Sequence, residues 1–133
     1  MIAAIHAGWK GAFKGIVHKV IKFMITKGCR RENIIVAIGP CISQKNYEVG
    51  IEFRNKFIQK HKKNKIFFKN INNSIYFNLQ NYVKSQLRFN KINKIDMIDI
   101  DTYENKNNFF SARRSLKLKH VDYGRNISII MIK

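Results

Sequence analysis

The chain has 133 residues, with 26 Lys or Arg against 8 Asp or Glu, and a formal net charge of +18 at pH 7. Hydrophobic residues at 45% and aromatic residues at 12% exclude a disordered chain and fit one globular domain over 1–133. No apolar run reaches the roughly 18 residues that cross a bilayer, and no charged leader with an apolar core marks the chain for secretion, so no membrane role is expected.

The first element in chain order is an apolar strand, Met1 to Ile5, whose lack of polar alternation suits the middle of a sheet with both faces covered. A glycine turn follows, and Phe13, Ile16, Val17, Val20, Ile21, Met24 and Ile25 then recur at three and four residues. This spacing predicts an amphipathic helix with Gly28 as a left-handed stop. Ile34 to Ile38 reads as a second buried strand, ended by Gly39 and Pro40. Val49, Phe53 and Phe57 place a helix from about Glu48 into the lysine run Lys60 to Lys65, itself expected as a solvated loop. "SIYFNL" predicts a short strand, "LQNYVKSQLRF" a helix with Leu79, Tyr82, Val83 and Leu87 on one face, "KIDMIDID" a further strand, and "NISIIMIK" the last. Alternating strands and helices give an α/β architecture.

Cys29 and Cys41 form no CxxC pair, and as free thiols they fit a reducing, cytoplasmic compartment. The positive charge is mostly lysine dispersed among Asn and Ile. It therefore does not by itself indicate a nucleic-acid partner.

Three stretches have the residue types for chemistry. In the first, His6 stands beside Gly8 and Gly11, which let backbone approach a ligand; Trp9 offers a packing surface and Lys10 a cation beside an anion. Its structural alternative is a strand-to-helix turn held by a buried tryptophan. The second is "AIGPCISQKNYEVG", with Cys41 at a loop tip and Tyr47 and Glu48 at its end; the thiol is either a nucleophile or ligand, or a small hydrophobe. The third, "DTYENKNNFFSARRSLKLKHVDYGRNISI", carries adjacent Arg113 and Arg114, of which only one readily faces a given pocket; a guanidinium suits phosphate because its fork donates two parallel hydrogen bonds. Phe109 or Phe110 is a base-stacking or a core residue, and Asp99 and Asp101 share one strand face, pointing to solvent if unpartnered.

Together and in this order, "AAIHAGWKG", "AIGPCISQKNYEVG", "DTYENKNNFFSARR" and "DYGRNISII" resemble the YfiH-like proteins, long described as multicopper polyphenol oxidases or laccases and now understood as purine nucleoside phosphorylases. The resemblance runs nearly the whole length and is weaker between Phe57 and Ile95. It implies a layered mixed sheet flanked by helices, truncated at the N-terminus, since the family carries a comparable length of chain before the "HAGW" segment. The implied reaction is phosphorolysis of adenosine, inosine or methylthioadenosine to base and ribose 1-phosphate, with adenosine deamination as a second activity. The implied cofactor is zinc, or copper in older descriptions, held by a histidine of a "VH" segment, a cysteine of an "ADC" segment and the "HAGW" histidine. Only the last is present, as His6. One imidazole cannot organise a catalytic zinc, which takes three protein ligands, so weak or absent zinc binding is expected of this chain alone. In the same resemblance Cys41 belongs to a loop rather than to the metal shell. His6 is then the catalytic and metal-binding residue, with Lys10 and Arg113 for phosphate and Tyr47 for the nucleoside. Lys10 and Asn78 depart from the family's usual arginine and aspartate. A separately encoded N-terminal half is an expected partner; the alternatives are an inactive remnant or a basic nucleic-acid-binding domain.

Overall fold

The recurrence of apolar side chains after the first glycines produces helix in two pieces. In the computed structural model, which describes residues 1–132, α1 covers Trp9–Phe13 and α2 covers Ile16–Thr26. Gly15 separates them at φ 80°, a left-handed conformation that glycine adopts without steric cost. The second helix ends at the expected glycine. Gly28 sits at φ 91°; its N–H donates to the Ile25 carbonyl at 2.9 Å and the Cys29 N–H to that of Met24 at 3.0 Å, the crossed bonds of a Schellman turn.

Strand β1 spans Ile35–Ile38. Helix α3, Ile51–Lys60, starts three residues later than its periodicity predicts, because Glu48–Val49 pair as a short strand, β2. The lysine run is a 3-10 turn, Lys62–Phe67, that buries Phe67 and leads into a hairpin of β3 (Phe68–Ile71) and β4 (Ser74–Phe77). Its two-residue turn, Asn72 and Asn73, has φ 47° and 64°, the positive values a primed hairpin turn demands and asparagine tolerates. Helix α4, Leu79–Phe89, is capped by Asn78, whose side-chain oxygen accepts from the Asn81 N–H at 2.9 Å. Strand β5, Lys94–Met97, and helix α5, Ala112–Lys117, complete the elements.

The strands fall into two small sheets. β1 and β5 pair in parallel, Ile35 beside Lys94 through Ile38 beside Met97. β4 is central in an antiparallel sheet between β2 and β3. The core between helices and sheets is largely aromatic: Phe57 and Phe77 are completely buried, and Phe53, Phe68 and Tyr82 stack or meet edge-on around them. Val17 and Ile21 of α2 and Leu79, Tyr82, Val83 and Leu87 of α4 are buried in the same cluster, so the predicted faces of both helices are the ones that pack.

Two predicted strands do not form among the described residues. Met1 to Ile5 is exposed and unpaired, and so is the chain from Asn126 to Ile132; Lys133 lies outside the described residues. Strand hydrogen bonds are made to a neighbour, and neither segment has one here. Among the described residues no helix is long and apolar enough to cross a membrane.

Candidate functional site

His6 occupies the exposed stretch before α1, and the glycines beside it are shaped to it. A Cβ added to Gly8 would lie 3.0 Å from the imidazole Nε2, and one on Gly11 would lie 3.4 Å from the His6 carbonyl oxygen. The turn thus wraps the histidine rather than merely reversing the chain. Beyond it, Trp9 meets Phe53 edge-on at 4.9 Å, with the ammonium groups of Lys10 and Lys56 5.6 and 5.8 Å from the indole centroid.

Phe53 carries the contact further. Its ring lies 6.4 Å from that of Tyr47, and the Arg113 guanidinium sits 5.3 Å from the Tyr47 ring centre. Arg113 also donates to the Glu48 carbonyl at 3.0 Å. Lys10, Trp9, Phe53, Tyr47 and Arg113 form one sequence of contacts from α1 to α5, which brings together three of the four residues singled out from the sequence. Phe53 was legible only as a helix-face residue. Burial, opposed by the Arg113 charge, pushes the Tyr47 phenol up to about 12, so it stays protonated and able to donate a hydrogen bond at neutral pH.

The adjacent arginines separate as their positions require. Arg114 is turned inward on α5 and donates to the carbonyls of Thr102 at 3.1 Å, Tyr103 at 2.8 Å and Phe109 at 2.6 Å, holding the loop before the helix. Ser111 caps that helix by accepting from the Arg114 N–H at 3.3 Å. Phe110 is exposed and lies against Gly124, where a Cβ would fall 2.5 Å from its ring, while its backbone exchanges hydrogen bonds with the Asn126 side chain at 2.9 and 2.8 Å. The "FFSARR" and "DYGRN" stretches therefore dock on each other.

Asp101 has partners, contrary to the solvent-facing alternative. Its carboxylate accepts from the Ser43 N–H at 3.1 Å, the Tyr103 N–H at 2.8 Å, the Asn46 side chain at 2.7 Å and the Ser43 hydroxyl. Glu104 adds an ion pair to Lys45 at 3.0 Å. This network fastens the loop carrying Cys41 and Tyr47 to the loop leading to α5. The sequence held no local signal for it, because its members are about 58 residues apart. Partial burial pushes the Asp101 carboxyl up, but the hydrogen bonds from Ser43, Tyr103 and Asn46 outweigh it and hold the pKa below the usual value of 3.8. A depressed carboxylate pKa stabilises the fold above its unfolded value, and that stability is lost as pH falls through the folded value. Asp101→Asn is expected to cost about 2 kcal/mol at pH 7, since its amide N–H groups confront donors. Urea unfolding followed by circular dichroism at pH 7 and pH 3 should show that gap narrowing in acid.

Cys41 lies beside Asp101, and its thiol is pushed up to about 11, by burial first and then by the Asp101 and Asp99 charges. It is poorly suited to nucleophilic work or to the thiolate a metal needs. Iodoacetamide at pH 7.5 is expected to label it slowly in the native chain and rapidly in urea, read by peptide mass spectrometry. Among the described residues no three His, Cys, Asp or Glu side chains gather as a metal shell. The donors present do not fit a zinc ion on their own; His18 instead meets the Asn90 side chain at 2.7 Å.

Two open grooves, of about 420 and 390 Å³, lie beside the end of α2, lined by residues that include Ile25, Cys29, Arg31, Asn90 and Lys91. Neither is lined by His6, Lys10, Tyr47 or Arg113; His6, Lys10 and Arg113 are exposed, while Tyr47 is buried in the core.

Comparison with known proteins gives the family and the fold. The family model described as multi-copper polyphenol oxidoreductase laccase matches residues 1–133. A purine nucleoside phosphorylase of Rickettsia prowazekii is 37% identical over 136 residues, covering 100% of this chain and 55% of that protein. One of Haemophilus influenzae is 34% identical over 116 residues, covering 85% of this chain and 46% of that protein. The crystal structure of the Bacillus licheniformis hypothetical protein YfiH superposes with a TM-score of 0.73 at 27% identity, over 84% of this chain and 43% of that one. The chain thus spans about half the length of the curated relatives it matches.

Proposed function

The chain belongs to the multi-copper polyphenol oxidoreductase laccase family, and from that premise we propose that it forms part of a purine nucleoside phosphorylase acting in the cytoplasm. The supporting observation is the Arg113 guanidinium over the Tyr47 ring, continued through Phe53 and Trp9 to Lys10. Such a face offers two cations for phosphate and aromatic surface for a purine.

In phosphorolysis a phosphate oxygen bonds to the sugar C1′ while the glycosidic C–N bond breaks and the purine departs with its electron pair. Arg113 would orient the phosphate and screen its charge as it approaches the sugar, with Lys10, at the other end of the aromatic run, adding positive potential. Tyr47, kept as a phenol by burial, would position the nucleoside by one donated hydrogen bond, its ring being packed against Phe53, Phe77 and Arg113. Adenosine, inosine and methylthioadenosine are the substrates of this reading, with adenosine deamination as a side activity. His6 is the one residue here assigned to the metal, and we derive no step through zinc because the donors of this chain do not compose its shell.

The test is release of adenine from adenosine by the purified chain, with and without phosphate, resolved by chromatography. Phosphate-dependent release supports the reading. Its absence at high enzyme concentration with zinc supplied supports the second one, a catalytically inactive member, which the single His6 donor favours.

A further inference from the structure

The parallel pair β1 and β5 is incomplete by the physics of sheets. Parallel sheets occur almost only with both faces covered, and two strands by themselves are marginal in water. Here Val36, Ile38 and Ile95 pack one face onto the core, while the other face presents Ile35 at 71% exposure together with Ala37. With two strands in this sheet among the described residues, the outer edge of each has no partner strand there. Past Met97 the same strand direction continues with exposed Ile98 and Ile100. The extended stretches at the two ends carry further uncovered apolar side chains: Ile2 and Ile5 in one, Ile127, Ile129 and Ile132 in the other.

The comparisons indicate what is of the right size to cover them. The Rickettsia prowazekii relative has this chain as 55% of its length, and the Bacillus licheniformis structure, which shares the fold, has it as 43%. We propose that the open face and edges of the β1–β5 sheet, with the extended segments 1–6 and 126–132, form a docking surface for a polypeptide equivalent to the portion of those relatives that this chain does not span. That polypeptide pairs as strands with the free edges and covers Ile35. The inference rests on family membership and fold, not on the proposed phosphorolysis. A second copy of this chain is disfavoured as occupant, because each copy carries a net charge of +18 and association of two copies works against that like charge.

The experiment co-expresses this chain with the part of the Rickettsia prowazekii relative outside the matched stretch, tagged on the latter, and measures complex mass by light scattering and amide hydrogen exchange. A one-to-one complex is expected, with new protection in residues 35–38, 94–98 and 126–132. Ile35→Lys should weaken association at least tenfold while leaving the thermal unfolding of the chain alone unchanged, since Ile35 is exposed there. Ile127→Lys, on a residue 83% exposed, is a second variant that cannot disturb the core. Failure to form the complex overturns the proposal, as does a homodimer protected at the same edges, or a complex whose protection lies elsewhere and ignores both variants. None of these readouts depends on catalysis, so a negative activity assay leaves them intact.

Discussion

Replacing Phe57 with alanine is expected to cost ~3–5 kcal/mol, the range for removing a large aromatic side chain from a packed core. Phe57 is completely buried and stands at the crossing of the aromatic cluster, with ring centres of Phe13, Phe53 and Phe77 each 4.8 Å away and Tyr82 at 5.1 Å. Those neighbours belong to α1, α3, β4 and α4, so the cavity would open where four elements meet. A small domain has about 5–15 kcal/mol in all, so the loss removes roughly a fifth of its stability or more. Urea unfolding should show the midpoint falling by more than 1 M. Phe57→Leu, which fills most of the space, should cost under half as much. Equal costs for the two would mean that Phe57 is not the packing centre.

Arg113→Ala is expected to lower phosphate-dependent release of adenine about 100-fold, the effect of deleting one charged donor from a site that binds an oxyanion. The measurement applies to whichever preparation is active, the chain alone or the chain joined by the portion its relatives carry. Arg113 is exposed on α5 and its one hydrogen bond runs to the Glu48 carbonyl, so urea unfolding should change little. Arg113→Lys keeps the charge and loses the fork, and should recover part of the rate, mainly through KM for phosphate. Arg114→Ala is the contrasting variant: its three carbonyl contacts hold the loop before α5, and stability should fall with activity. An Arg113→Ala chain with full activity would remove this residue from the phosphate site.

The helices were legible because the information that forms them is local. The apolar spacing on α2 and α4 names the faces that pack, Gly28 names the stop of α2, and both follow from side chains within a few residues of one another. Strand β3 was missed although Asn72 and Asn73 form a turn with two positive φ values, because "FKNI" has too little alternation to be read alone. The late start of α3 has a related cause: Glu48 and Val49 satisfy their backbone on β4, a partner more than 25 residues on, before the helix begins.

For the site, residue types were readable and their neighbours were not. Tyr47, Lys10 and Arg113 stood out as an aromatic and two cations in distinctive stretches, yet nothing local shows that Phe53 joins Trp9 to Tyr47. Likewise the sequence left Asp101 facing solvent only if unpartnered, and its partners Ser43 and Asn46 are more than 50 residues away.

The sequence by itself determined the three longer helices, their buried faces, the mixed α/β class and the family stretches, since periodicity, capping and motif spacing are properties of neighbouring residues, whereas the short helix α5 and the break at Gly15 were not read from it. Only the tertiary structure decided which of two adjacent arginines turns inward, what Asp101 holds, and that among the described residues Met1 to Ile5 and Asn126 to Ile132 join no strand. Each of those outcomes depends on a partner distant in the chain, and a strand, a buried carboxylate or a guanidinium takes its place from the groups that satisfy it.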